Sequence, residues 1–452
     1  MKYRLKGLAL ACGTLFLLVC GQATAQDSLS LTMAKAIELT LANSKSVKAN
    51  QARIDEATAI LRQANDAKLP ELSVSGAYMY LPIVPNIDMK IKTGNGGSGG
   101  GNETMNVEAH QAAYGSLSAS LPIYAGGKIR YGIASAQYLL EATRLDAGKD
   151  RDAVAQNAID AFTNLYKAKQ SVSIIQENLE QSKARDRDLL NMENNGLLAR
   201  NDRLKAQLQT NNIELTLLDA QTSLQVAIVN MNLLLGLPER TLLNPVTDSS
   251  LAPVTPKTIE EYEQLGIQHR KDIAALAYQK KAAELGIKTA ASDLYPSLAL
   301  TGGYIAADIP KVLSITNAVN LGVGVKYNVS SLWKTKAKVQ QAQAQEKQLF
   351  FRQGELDDQV RREINRAYQQ YLVSIKKIDV YEKALEQSEE NYKINKNKFD
   401  NSLVTTTDLL DANVARIQAR INHAFARAES IQAYNKLLET TGTLLPETTD
   451  SK

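Results

Sequence analysis

Four stretches of the chain alternate apolar and small polar residues with a period of two. Leu72, Val74, Gly76, Tyr78 and Tyr80 share one parity against Ser73 and Ser75, and Leu117, Ala119, Leu121 and Ile123 oppose Ser116, Ser118 and Ser120. The alternation returns at Leu298, Leu300 and Tyr304, and again at Leu321, Val323, Val325, Tyr327 and Val329. A period of two marks a strand with one apolar and one polar face. It predicts strands near 71–82, 112–123, 297–307 and 319–330. Elsewhere the spacing is mainly three and four, as in Leu356, Val360, Ile364, Ala367, Tyr371, Ile375, Ile378, Leu385, Ser388 and Tyr392. That spacing is a coiled-coil-like seam.

Two proline-free stretches, Lys128–Met192 and Lys334–Lys398, are 65 residues each. As helices each would be roughly 97 Å long. Asn194-Asn195-Gly196 and Asp400-Asn401-Ser402 break the pattern, and return helices are predicted over Asp202–Leu235 and Thr407–Thr440. Shorter helices, Ser44–Lys68 and His269–Asp293, precede the strands and are stopped by Pro70 and Pro296.

The order of elements is written twice. Pro70-Glu71-Leu72-Ser73-Val74-Ser75-Gly76-Ala77-Tyr78 returns as Pro296-Ser297-Leu298-Ala299-Leu300-Thr301-Gly302-Gly303-Tyr304, an offset of 226. Further on, Gly196-Leu197-Leu198, Asp202 and Gly236 return as Ser402-Leu403-Val404, Asp408 and Gly442, an offset of 206. The first copy's Gly-rich 94–101 stretch accounts for the difference. The expected organisation is a first repeat over 26–236, a linker over 237–257 that holds Pro238, Pro245, Pro253 and Pro256, a second repeat over 258–445 and a tail over 446–452.

Residues 1–25 read as a secretory signal: Lys2, Arg4 and Lys6, an apolar core from Gly7 to Cys20, then Ala23-Thr24-Ala25. Removing them lowers the basic count from 52 to 49 against 48 acids, so a net charge of +4 becomes +1 and offers nothing to nucleic acid. Both cysteines, Cys12 and Cys20, leave with the signal, which suits an oxidising compartment. Lipidation at Cys20 is disfavoured by the bulk of Val19.

Four strands cannot close a barrel or hide their edges in a bilayer. Two chains would supply eight strands, too narrow for a lumen, whereas three would supply twelve and leave one. Tyr78, Tyr80, Tyr114, Tyr124, Tyr304 and Tyr327 in or beside the runs suit an interfacial belt, with cross-strand packing in a soluble sheet as the alternative.

The whole duplicated pattern resembles the TolC-like outer-membrane efflux proteins. The most specific local match is Leu403-Val404-Thr405-Thr406-Thr407-Asp408-Leu409-Leu410-Asp411-Ala412, with Gly196-Leu197-Leu198-Ala199-Arg200-Asn201-Asp202 in the first half. The resemblance implies an α+β, mainly α, fold that as a homotrimer forms a twelve-stranded β-barrel in the outer-membrane lipid and a helical tunnel in the periplasm. Its implied partners are a periplasmic adaptor and an inner-membrane pump of the resistance-nodulation-division, ABC or similar class.

It further implies that Gly196, Leu197, Leu198, Ser402, Leu403 and Val404 form the adaptor-docking tip, and that Asp408, Asp411 and Asp202 lie at the tunnel aperture as an ion-selective ring. Two plainer roles stand beside these. Leu197 and Leu403 could tuck under their own helices, and Asp408 and Asp411 could simply complement a helix dipole. An acidic latch position falls on Asp202, but its hydroxyl partner aligns with Phe399 and a basic latch position with Val404, so the closed-state contacts depart from the family pattern.

Catalytic constellations are missing: His110, His269 and His423 are isolated, and no phosphate-loop, His-Glu-x-x-His or Gly-x-Ser-x-Gly pattern occurs. Gly126-Gly127 is read as a tight strand-to-helix bend. No enzyme activity, cofactor or intrinsic metal is expected. The function implied is a passive export duct, and the rival is a periplasmic coiled-coil scaffold or adaptor without a barrel.

Overall fold

The computed structural model describes residues 29–83, 88–89, 105–106, 110–246, 254–310 and 313–446. The signal segment with Cys12 and Cys20, the Gly-rich 94–101 stretch, linker residues 247–253 and the tail from 447 lie outside the described residues. In chain order the elements are β1 (Leu29–Leu31), α1 (Met33–Asn43), α2 (Lys45–Asp66), β2 (Glu71–Tyr80), β3 (Asp88–Met89), β4 (Met105–Asn106), β5 (Gln111–Ala125), α3 (Lys128–Asn194) and α4 (Arg200–Leu235). There follow β6 (Leu243–Pro245), α5 (Ile259–His269), α6 (Lys271–Ala291), a 3-10 turn (Ser292–Leu294), β7 (Ser297–Ile309), β8 (Leu313–Lys326), α7 (Ser331–Asp400) and α8 (Thr406–Thr440).

The helices repeat at the sequence offsets. Adding 226 to the bounds of α1 gives those of α5, and adding 206 to the start of α4 gives that of α8. The compact units nevertheless do not follow the repeats. One comprises Met1–Ala49, Lys149–Arg270 and Gln359–Lys452, the other Asn50–Gly148 and Lys271–Asp358, so each draws on both copies.

The second unit holds an antiparallel sheet in the order β2-β5-β7-β8. Its central pair, β5 with β7, joins the first copy to the second. The register puts Val74 opposite Leu117, Leu117 opposite Tyr304, and Tyr304 opposite Val319, so parity is kept across all four strands. One face is therefore apolar as far as Asp308, which lies opposite Ala113 at one end of the sheet, and that face stands in the open: Val74 is 82% and Leu321 81% exposed. The opposite face carries hydroxyl pairs, Ser73 Oγ with Ser118 Oγ at 2.7 Å and Ser75 Oγ with Ser116 Oγ at 2.8 Å. Among the described residues the outer edges of β2 and β8 have no partner strand.

Two details differ from the periodicity. Ile123 does not continue the Leu117–Leu121 face, because the register shifts between Pro122 and Tyr124 and Tyr124 takes the place opposite Leu298. Pro122 lacks an N–H for the ladder, and a bulge beside it is the usual accommodation. The last strand is Leu313–Lys326 rather than 319–330. It stops because Asn328 Oδ1 accepts from Ser330 N–H (3.2 Å) and Oγ (2.8 Å), a local turn that opens α7 and leaves Tyr327 and Val329 beyond the strand.

The first unit is helical around a core of Leu31, Phe162, Leu165, Met231, Leu235 and Leu243. The stretch expected as linker contributes to it. β6 pairs in parallel with β1, Leu31 facing Pro245, and Val246 N–H donates to Leu31 C=O at 2.9 Å. Buried Asn232 holds the following turn by donating to Glu239 C=O (3.0 Å) and Thr241 C=O (2.9 Å). Thr258 and Glu261 form a reciprocal capping box at the start of α5.

At the β5-to-α3 bend Gly126 has φ +61°, and a Cβ there would lie 2.6 Å from Ser292 O. A Gly126→Ala variant should therefore lose at least about 1 kcal/mol. Gly132→Ala, in open space on α3, should gain about 0.5–1 kcal/mol. Thermal unfolding of the two variants checks the opposite signs.

Candidate functional site

The two long helices end in the same way. At the end of α3, Gly196 N–H donates to Glu193 C=O (2.9 Å) and Leu197 N–H to Met192 C=O (2.8 Å). At the end of α7, Ser402 N–H donates to Phe399 C=O (2.9 Å) and Leu403 N–H to Lys398 C=O (2.8 Å). Both are Schellman closures, which need a left-handed residue. Gly196 supplies it with φ +68°, and Ser402 supplies it with φ +60° against its side chain's preference.

A Schellman closure usually packs its next apolar residue back onto the helix. Here Leu197 and Leu403 do not do so, each being 73% exposed. Their neighbours are the ones tucked in: Leu198 and Val404 pack against a buried cluster of Leu189, Ala206, Phe399 and Leu409. Self-burial of Leu197 and Leu403 under their own helices thus does not occur within the chain. Phe399 and Val404, which depart from the latch pattern, serve this core instead.

The carboxylates divide by copy. Asp408 closes a capping box at the head of α8, where its Oδ2 accepts from Thr405 N–H (2.9 Å) and Oγ (2.6 Å), and Thr405 Oγ accepts from Asp408 N–H (3.2 Å). The Thr405 hydroxyl, and then its N–H, hold the Asp408 carboxyl below the usual carboxylate range. Asp411, one turn on, is exposed. In the first copy Ala199 gives α4 no side-chain cap, and Asp202 instead pairs with Lys205 at 3.0 Å. Lys205 occupies the repeat position of Asp411. The second-copy turn therefore presents two carboxylates and the first a neutral pair. Among the described residues no group of three or more His, Cys, Asp or Glu could hold a metal ion.

Just beyond the turns lies a polar cluster that periodicity did not reveal. Tyr392, read from sequence as a seam residue, accepts from Arg185 Nη2 at 2.9 Å, while the Arg416 guanidinium lies 3.8 Å from its ring centroid. Arg416 also donates to Gln181 (2.7 Å) and Asn413 (2.8 Å), and buried Asn413 donates to Asn178 at 3.0 Å. Arg420 pairs with Glu177 at 2.9 Å, chiefly through a hydrogen bond that lowers the Glu177 pKa. Helices α3, α7 and α8 are tied together here by stacking and charge-assisted hydrogen bonds.

Two experiments test the turns. Ser402→Gly should stabilise the chain by about 1 kcal/mol and Gly196→Ser destabilise it similarly, read by denaturant unfolding. Because the folded pKa of Asp408 is depressed, its stabilising contribution is present above the unfolded value and is lost as pH falls through the folded one. Thr405→Ala should raise that titration midpoint toward an ordinary aspartate, measurable by carboxyl-carbon NMR of aspartate-labelled protein.

Solved structures share this architecture. The outer membrane protein VceC from Vibrio cholerae is 18% identical, with 91% of this chain and 96% of that chain covered at a TM-score of 0.73. The Campylobacter jejuni CmeC outer membrane channel is 15% identical, covering 92% and 87% at 0.74. The Neisseria gonorrhoeae MtrE outer membrane channel, in its open state, is 16% identical, covering 93% and 91% at 0.72. These likenesses establish the fold. No curated protein sequence matches the chain. The outer membrane efflux protein family matches over residues 36–237 and 264–443, both copies of the duplicated unit, and the chain belongs to that family.

Proposed function

We propose that three copies of the chain close a twelve-stranded barrel in the outer membrane, continued by a helical tunnel, and that this duct passively exports substrates delivered by an inner-membrane transporter through a periplasmic adaptor. The observation that carries this reading is the four-stranded sheet, with one apolar face exposed and two edges unpartnered among the described residues. An isolated sheet of this kind is an aggregation hazard in water, and closure with further copies in lipid satisfies both the edges and the face. Strands of 10 to 15 residues have the reach of a tilted membrane strand. No described helix is long and apolar enough to cross a membrane, which bears only on helices. The rival scaffold reading leaves the apolar face without a partner.

In this arrangement Leu197 and Leu403 are the apolar contacts for adaptor hairpins, since exposed leucines at a turn are best covered by a partner. Asp408 and Asp411 from three copies form an acidic ring that favours cations, with the Asp202–Lys205 pairs lying between them. Because Asp408 also caps α8, asparagine is the cleaner replacement: it keeps an acceptor for Thr405 and removes the charge.

Asp408→Asn with Asp411→Asn should weaken divalent-cation block of single-channel current at least several-fold. Unchanged block would remove both from the aperture. Leu403→Glu should abolish crosslinking to the adaptor while trimers persist, and normal crosslinking would remove the tip from docking. Release of the protein from envelopes by alkaline wash without detergent would contradict the duct itself.

A further inference from the structure

The sheet is almost free of charge. Across β2, β5, β7 and β8 the ionisable acids and bases are Glu71, Asp308 and Lys326 alone. Charge returns abruptly where β5 and β8 leave the sheet for α3 and α7. Lys128, Arg130, Lys326, Lys334, Lys336 and Lys338 lie in these exits, against Asp293 in the adjoining 3-10 turn, six minus one or +5. Adding Lys68 and Lys288 with Asp66 and Glu71 leaves the sum at +5, larger than the whole chain's +4.

These positions form one end of the unit. Asp293 is shared by Lys128 at 2.9 Å and Lys338 at 2.8 Å, which brings the starts of α3 and α7 to the same turn. Arg130, Lys334 and Lys336 are exposed and make no ion pair among the described residues. Neither helix has an acid in its first turn. Basic residues at a helix's positive end are unfavourable on their own account, so internal stability does not explain them.

Beside this charge the apolar face continues. Tyr327 and Val329 carry the parity of Val319–Val325 past the strand end and stay exposed, followed by Leu332 and Trp333, the latter 64% exposed. The surface thus runs from an uncharged apolar wall, through one tyrosine and one tryptophan, to a basic collar. That sequence of layers complements a lipid monolayer: acyl chains, interface, then phosphate.

We infer that the collar of Arg130, Lys334 and Lys336 beside Trp333 binds the headgroups of anionic phospholipids in the leaflet that faces the helices. This rests on the barrel reading above, and adds to it a lipid-class preference and the residues that set it. Lys128 and Lys338 are already engaged by Asp293 and hold the collar's geometry, while Lys334 and Lys336, without an ion pair among the described residues, meet the phosphates as point charges and Arg130 meets them as a planar fork at the rim of the apolar band.

Trp333 is the chain's single tryptophan and reports on its own surroundings. Full-length protein is reconstituted in phosphatidylcholine vesicles containing either brominated phosphatidylglycerol or brominated phosphatidylcholine, and Trp333 fluorescence quenching is titrated. Brominated phosphatidylglycerol should quench with about fivefold or greater preference at low salt, a preference that shrinks as ionic strength rises. Arg130→Gln, Lys334→Gln and Lys336→Gln together should erase the preference and leave quenching by brominated phosphatidylcholine unchanged. Equal quenching by both lipids in the wild-type protein overturns the lipid preference while the barrel stands. No quenching by either lipid overturns the membrane placement itself. The salt series on wild-type protein decides the matter even if the triple variant folds poorly.

Discussion

The structure depends on an antiparallel sheet that a single chain cannot finish. Parity is held across four strands, so Leu72, Val74, Leu117, Leu121, Leu300, Tyr304, Val319, Leu321 and Val323 fall on one face. The register that achieves this also leaves β2 and β8 as bare edges among the described residues. Unpaired ladder groups and a wide apolar wall are both costly in water, and both are relieved by further copies and lipid. In the proposed duct, trimerisation and membrane insertion answer the same need as the internal repeat: two strands per repeat, and enough copies to close the cylinder.

The helical unit answers a different requirement. The long helices need register, and beside apolar clusters such as Ile175, Leu179, Ile213 and Leu217 the chain supplies it with buried and half-buried polar contacts. Asn413 with Asn178, Arg416 on Tyr392 and Arg270 with Glu363 (2.7 Å) each join helices distant in sequence. Such contacts add little net stability but penalise a slipped arrangement strongly, because a displaced partner is left buried and unpaired. At the turns the polarity reverses. Leu198 and Val404 close the ends, and Leu197 and Leu403 are left facing outward where a partner can take them.

Much of this was legible in the sequence, and what was not has identifiable causes. Alternation revealed the strands because small hydroxyl residues on one parity contrast sharply with valine, leucine and tyrosine on the other. It failed at Ile123, where a bulge beside Pro122 swaps parity, and at Tyr327 and Val329, where Asn328 ends the strand while alternation runs on. β1 and β6 are three residues each, too short for any period to show. Helix α5 was not anticipated, because its start lies in the capping box of Thr258 and Glu261, which periodicity ignores. At the turns the offset of 206 placed every residue, yet the cap made by Asp408 and the pairing of Asp202 with Lys205 depend on Thr405 and Ala199, where the copies differ. The Tyr392 cluster required three helices to be brought together, which no local pattern encodes.

The account is tested most directly at the open edges. Past residue 25 the chain has no cysteine, so paired cysteines, one at Ser73 or Val74 on β2 and one scanned from Val319 to Val325 on β8, report only on engineered contacts. Oxidation in intact envelopes should give a covalent trimer for at least one register on non-reducing gels, with the product retained in the outer membrane. Absence of any cross-linked trimer at every register, from protein that is folded and abundant, would contradict closure of the sheet by copies of the same chain.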